Sequence, residues 1–164
     1  MSLTVRTAEP TDLPAIRDIY NHYVTETHIT FDLDPVNLAN RTEWARQFSG
    51  DRYQLIVGEH QGEVMGYACS SRLRVKPAYD RSVETTIYLH HAAGGRGFGE
   101  TLYAELFRRL GETDVHRCYG VIALPNDASV ALHRKFGFSD AGLLTEVGYK
   151  FDRYWDTLWM EREI

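Results

Sequence analysis

In the stretch HHAAGGRGFGETL, residues 90–102, glycine fills four of the six positions from Gly94 to Gly99. The segment before it, SVETTIYLH, is β-branched and aromatic and reads as a strand, whereas after it Leu102, Tyr103, Leu106 and Leu110 recur at helical spacing up to Gly111. Strand, glycine loop and helix together present free backbone N–H groups and a positive dipole end at one place, which suits an anion, usually a phosphate. Each glycine enlarges the freedom that folding removes, so four in six positions call for a reason. The Walker pattern GxxxxGK[ST] matches at Gly94 and Gly99 but then requires a lysine where Glu100 stands. The dinucleotide pattern GxGxxG from Gly95 and Gly97 fails at the same glutamate. GxGxG from Gly95 to Gly99 remains, and on spacing alone a ligand-free turn remains open beside it.

The rest of the chain supplies a core around this loop. LTVRTA alternates like a first strand, and Leu13, Ile16, Ile19, Tyr20 and Tyr23 predict an amphipathic helix capped by Thr11 or Asp12. ETHITFDLDP has no clear period, and a second helix is expected over Val36 to Phe48. YQLIVGEH and EVMGYACSSRL, separated by Gln61 and Gly62, read as a hairpin. CYGVIAL is a buried strand, PNDASVALHRKFGF a short helix capped by Asn126 or Asp127 and ended at Gly137, and the last segment two strands about a turn near Asp152. The expected class is α/β in the broad α+β sense, with mostly antiparallel pairing, and one domain over residues 1–164.

Composition narrows the partners. A net charge of −5 with no Lys/Arg cluster argues against a nucleic-acid groove. No run of about 18 apolar residues and no apolar leader is present, so a soluble cytoplasmic protein with no membrane partner is expected. Cys69 and Cys118 lack CxxC spacing and suit a reducing compartment, and His22, His28, His60, His90, His91 and His116 form no metal motif, so no metal is expected.

IYNHYV with TFDLDP, AYDRSVETTIYL, GVIALPNDASVALHRKFGF, and VGYKF followed by WD stand in one order along nearly the whole chain. With the glycine loop, they resemble the Gcn5-related N-acetyltransferases (GNAT), and within them the phosphinothricin and methionine sulfoximine acetyltransferases. The resemblance implies a central twisted, mostly antiparallel sheet of about seven strands with about four helices, and the cofactor in the cleft between central strands. It implies acetyl-CoA as donor, a small-molecule amine of amino-acid type as acceptor, and a homodimer. It places the pyrophosphate on Gly95, Arg96, Gly97, Phe98, Gly99 and Glu100, and the pantetheine arm beside Ile87, Tyr88, Leu89, Asn126 and Ser129, with the Leu89 N–H as oxyanion donor. Phe31, Lys76, Tyr79, Glu84, Thr85 and Thr86 would line the acceptor pocket. Departures are Gly94 for the usual Arg or Gln, Lys76 for an Arg, and Arg81 for a Trp.

The chemistry needs a base, and Glu84 shares a strand face with Thr86 and Tyr88. From spacing alone it is equally a strand-end carboxylate in water. The resemblance makes it the general base, and His133, two helical turns after Asn126, the group that protonates the thiolate or assists at the amine. Two other classes stay open: a non-catalytic acyl-CoA-binding module and, disfavoured by Glu100, a phosphate-transferring nucleotide enzyme. Other amines, such as polyamines, aminoglycosides or peptide N-termini, also remain open as acceptors.

Overall fold

The computed structural model describes residues 2–164. In chain order it contains β1 (Thr4–Thr7), α1 (Leu13–Glu26), α2 (Leu38–Ala45), β2 (Leu55–His60), β3 (Glu63–Arg72) and β4 (Ser82–Leu89), then α3 (Phe98–Leu110), β5 (Arg117–Ala123), α4 (Asp127–Lys135), β6 (Ser139–Lys150) and β7 (Arg153–Glu163). The strands form one sheet in the order β1-β2-β3-β4-β5-β7-β6. Every neighbour pair is antiparallel except β4 and β5, which run parallel. The seven strands and four helices match the expected architecture.

Strand alternation sorts the sheet's side chains onto two helical layers. Tyr67 and Cys69 of β3 pack with Leu13, Ile16 and Ile19 of α1. Ala68, between them, faces the other way and joins Leu102, Tyr103, Leu106 and Leu110 of α3 with Val83 and Cys118. The two hairpins turn on Gln61–Gly62 and Phe151–Asp152, all four at positive φ, as two-residue turns that follow the strand twist require.

One boundary and one cap bond differ from the sequence reading. The second helix runs Leu38–Ala45 rather than 36–48, because the Asn37 side chain accepts from the Asn40 N–H and so sets the start. Asp12 precedes α1 without capping it: its carboxylate accepts from Arg6 Nη1 and Nη2 at 2.7 and 2.9 Å and from the Glu9 N–H at 2.7 Å. Since Arg6 also reaches Glu59 of β2, this group ties β1, β2 and the entry to α1 together.

The parting of β4 from β5 positions the site. They pair only at Ser82–Arg117, Val83–Cys118 and Glu84–Tyr119. Beyond these, β4 stays on β3 as far as Leu89 opposite Gly66, and β5 stays on β7 as far as Ala123 opposite Thr157. The sheet therefore opens down its middle.

The Arg6 guanidinium holds the Asp12 carboxyl below the usual carboxylate range. A lowered folded pKa stabilises the fold above the unfolded value and loses that contribution as pH falls through the folded one. Asp12→Asn is expected to cost about 1.5–3 kcal/mol near neutrality, with the gap to wild type closing below about pH 4, as checked by denaturant midpoints across pH.

Candidate active site

The opening is a cavity of about 320 Å³ whose walls include Ile87 and Leu89 of β4, Val121 of β5, and Asn126, Ser129 and His133 around α4. His90 N–H donates to Met65 O of the neighbouring strand, so by antiparallel alternation Ile87 and Leu89 turn their N–H groups away from β3 and toward the gap. The Leu89 carbonyl is taken by the Tyr23 hydroxyl at 2.7 Å, which anchors the end of β4 to α1. Tyr23 went unremarked as a site residue because its helical spacing marks only a core face.

At the mouth, only Gly95 and Gly97 among the loop glycines need a left-handed backbone, with φ of 73° and 75°. Gly94 has an ordinary φ of −58° and open space around the place of a Cβ, so the backbone does not explain its glycine. Gly99 lies inside α3, where a Cβ would meet Leu132, Leu89 and Ile87 at ordinary contact distances. The first helical bond of α3 is Thr101 N–H to Gly97 O, and the N–H groups of Phe98, Gly99 and Glu100 precede it, pointing out of the helix end. The Arg96 side chain is exposed. The Glu100 carboxylate is drawn aside by Lys135 of α4 at 2.6 Å.

Glu84 projects with Thr86 and Tyr88 toward the α1/α2 side, opposite Ser71 of β3. Burial pushes its carboxyl pKa up, and Arg74 partly opposes this. Thr85 points to the other face, where it is buried near the Tyr103 hydroxyl, so it does not share the Glu84 side of the sheet.

His133 is buried beneath the cleft on the α3/α4 side. Its Nδ1 lies 2.7 Å from the Ser129 carbonyl, an acceptor only, so Nδ1 carries the proton and Nε2 accepts from the Tyr103 hydroxyl at 3.1 Å. Burial lowers the His133 pKa, which favours this neutral tautomer. A Cβ at position 120 would stand 2.5 Å from Nε2, so Gly120 of β5 makes room for the ring. The isolated glycine in CYGVIAL was a readable signal for such an approach. Asn126 caps α4, its side chain accepting from the Ser129 N–H. Glu84 and His133 thus stand on opposite faces and reach one another only through the gap.

The remaining expected acceptor residues lie off the cavity lining. Phe31 packs its ring over Gly148 of β6. Lys76 is exposed at the start of a short turn, Pro77–Tyr79, and Tyr79 is exposed. Arg74, which spacing alone does not set apart from its basic neighbours, is the cation that acts on Glu84.

Residues 5–159 match the acetyltransferase (GNAT) domain. The chain belongs to the GNAT acetyltransferase family. It is 48% identical to a phosphinothricin N-acetyltransferase of Streptomyces coelicolor, covering 98% of this chain and 95% of that one. It is 35% identical to an L-methionine sulfoximine/L-methionine sulfone acetyltransferase of Pseudomonas paraeruginosa, over 98% and 94% of the two chains. A crystal structure of a phosphinothricin acetyltransferase from Sinorhizobium meliloti in complex with acetyl-CoA superposes with a TM-score of 0.95 at 34% identity, covering 100% of this chain and 89% of that one.

GNAT enzymes take their acetyl group from acetyl-CoA, and the cleft of this GNAT acetyltransferase fits that donor. The bare loop and N–H groups at the start of α3 suit a diphosphate, and the free backbone edge of β4 suits an extended amide chain. Among the described residues no group of three or more His, Cys, Asp or Glu could hold a metal ion. Among the described residues no helix is long and apolar enough to cross a membrane.

Tyr103→Phe removes the donor that favours neutral His133. The His133 ring protons are expected to titrate below the ordinary midpoint of about 6.5 in the wild type and at a higher pH in the variant, as read by NMR.

Proposed function

We propose that this GNAT acetyltransferase moves the acetyl group of acetyl-CoA to the α-amine of a small amino-acid-like acceptor, of the phosphinothricin or methionine sulfoximine type. The observation that carries the reading is a desolvated carboxylate, Glu84, beside a gap whose β4 edge offers the unpaired N–H groups of Ile87 and Leu89. The names of the Streptomyces and Pseudomonas relatives support the acceptor class. Gly95 to Glu100 hold the diphosphate, Asn126 and Ser129 the arm, and Thr86 lines the acceptor side.

Acetyl-CoA supplies an activated thioester carbonyl. The Leu89 N–H donates to its oxygen as negative charge develops there. Glu84 takes the proton that the attacking amine must lose, directly or through one water, as the nitrogen–carbon bond forms and the carbon–sulfur bond breaks. Its raised pKa brings it nearer to the amine it must relieve of a proton. On the opposite face His133 is a hydrogen-bond acceptor in its resting tautomer. Its part is to hold the Tyr103 hydroxyl, whose hydrogen turns from Nε2 to the departing sulfur as charge collects there.

The edge strand β6, its turn and the start of β7 expose Leu143, Leu144, Val147, Tyr149, Phe151 and Tyr154, each at least 45% accessible. This apolar row supports a homodimer formed through the C-terminal strands. Leu143→Asp with Val147→Asp is expected to halve the mass seen by light scattering.

A free-thiol assay against a panel of amines tests the activity. Glu84→Gln is expected to lower kcat/KM about 100-fold or more. In the wild type a carboxylate must be ionised to act, so the acid limb of kcat/KM against pH should lie above the ordinary glutamate value of about 4.3 and vanish in the variant. An unchanged rate in Glu84→Gln would end its assignment as base.

A further inference from the structure

The stretch ETHITFDLDP has no periodicity, yet each of residues 28–31 is docked on the rest of the fold. The His28 ring stacks on Trp155 of β7 at 4.1 Å, and its Nε2 lies 2.9 Å from the Pro125 carbonyl. Ile29 lines the cleft. Thr30 is buried, with its hydroxyl 2.8 Å from that of Tyr20, and the Phe31 ring covers Gly148. The receiving surface is β6, a twelve-residue strand in which only Gly148 and Lys150 are buried. They are two residues apart and so share a face: Gly148 leaves room for the Phe31 ring, and Lys150 Nζ donates to the Thr30 carbonyl at 2.9 Å. An ammonium is costly to bury, and here its bonded partner is a backbone carbonyl rather than a carboxylate. Such a group suits the fixing of a segment that has no regular structure of its own.

We propose that Lys150 is a positioning residue that pins residues 28–31 as the acceptor-side wall of the cleft, and so sets affinity for the amine without setting affinity for acetyl-CoA. The separation follows from the two faces. Thr30 joins Tyr20 of α1 on the side from which Glu84 projects, whereas the glycine loop, α3 and α4 stand on the other. The kinetic half of this inference rests on the acetyl-transfer reading above.

The test compares wild type, Lys150→Met and Gly148→Ala. The second variant leaves the ammonium in place and displaces Phe31, and it carries the test if the first does not fold. Initial rates are taken with each substrate varied, alongside hydrogen exchange of the 27–34 amides. Loss of a charge-assisted hydrogen bond predicts an acceptor KM up about tenfold, an acetyl-CoA KM within about twofold, and faster exchange at 27–34 with α3 unchanged. An acceptor KM that stays at the wild-type value, or both KM values rising together, overturns the proposal while leaving acetyl transfer intact. If the wild type acetylates no amine, the activity reading fails instead, and exchange alone decides the pinning: faster at 27–34 upholds it, unchanged exchange overturns it.

Discussion

The site depends on the parting of β4 from β5 after three paired residues. A parallel pair that continued would consume the N–H groups of Ile87 and Leu89 in the sheet. Because β4 remains held by β3 and by the Tyr23 hydroxyl, and β5 by β7, each wall stays straight while the gap between them stays open. Unpaired backbone inside a fold is costly, so a partner that pairs with it gains what the sheet forgoes.

The gap also separates two environments. On the α1/α2 side, burial raises the Glu84 pKa and inclines it to take a proton. On the α3/α4 side, burial leaves His133 neutral, and the Ser129 carbonyl, which by itself favours the charged ring, keeps the proton on Nδ1 so that the Nε2 lone pair meets Tyr103. In the proposed mechanism, proton uptake from the amine and stabilisation of the leaving sulfur fall on opposite faces of one sheet. Each group keeps its own dielectric surroundings, and neither titrates against the other.

Much of this was legible in the residues. The glycine loop, the strand before it and the stripe on α3 are local patterns, and the GNAT motifs carried the family and its acetyl-CoA donor. What was hidden is non-local. Periodicity places Glu84 on a face but cannot say that β4 leaves its neighbour directly after it. The Tyr103–His133 bond joins residues thirty positions apart, on two helices that each read correctly alone. Residues 28–31 were opaque because their order comes from Gly148, Lys150 and Trp155, far along the chain, rather than from a period of their own. Gly120 and Gly148 were the two readable clues, since a lone glycine within a strand pattern marks a close approach.

The claim that the parted strands form the acetyl-CoA site is tested most directly by residue-resolved amide exchange of β4 with and without acetyl-CoA. The Ile87 and Leu89 amides should slow on addition of acetyl-CoA, while that of Tyr88, turned toward β3, stays as it was. Saturating acetyl-CoA that leaves Ile87 and Leu89 exchanging at their free rates would contradict the account.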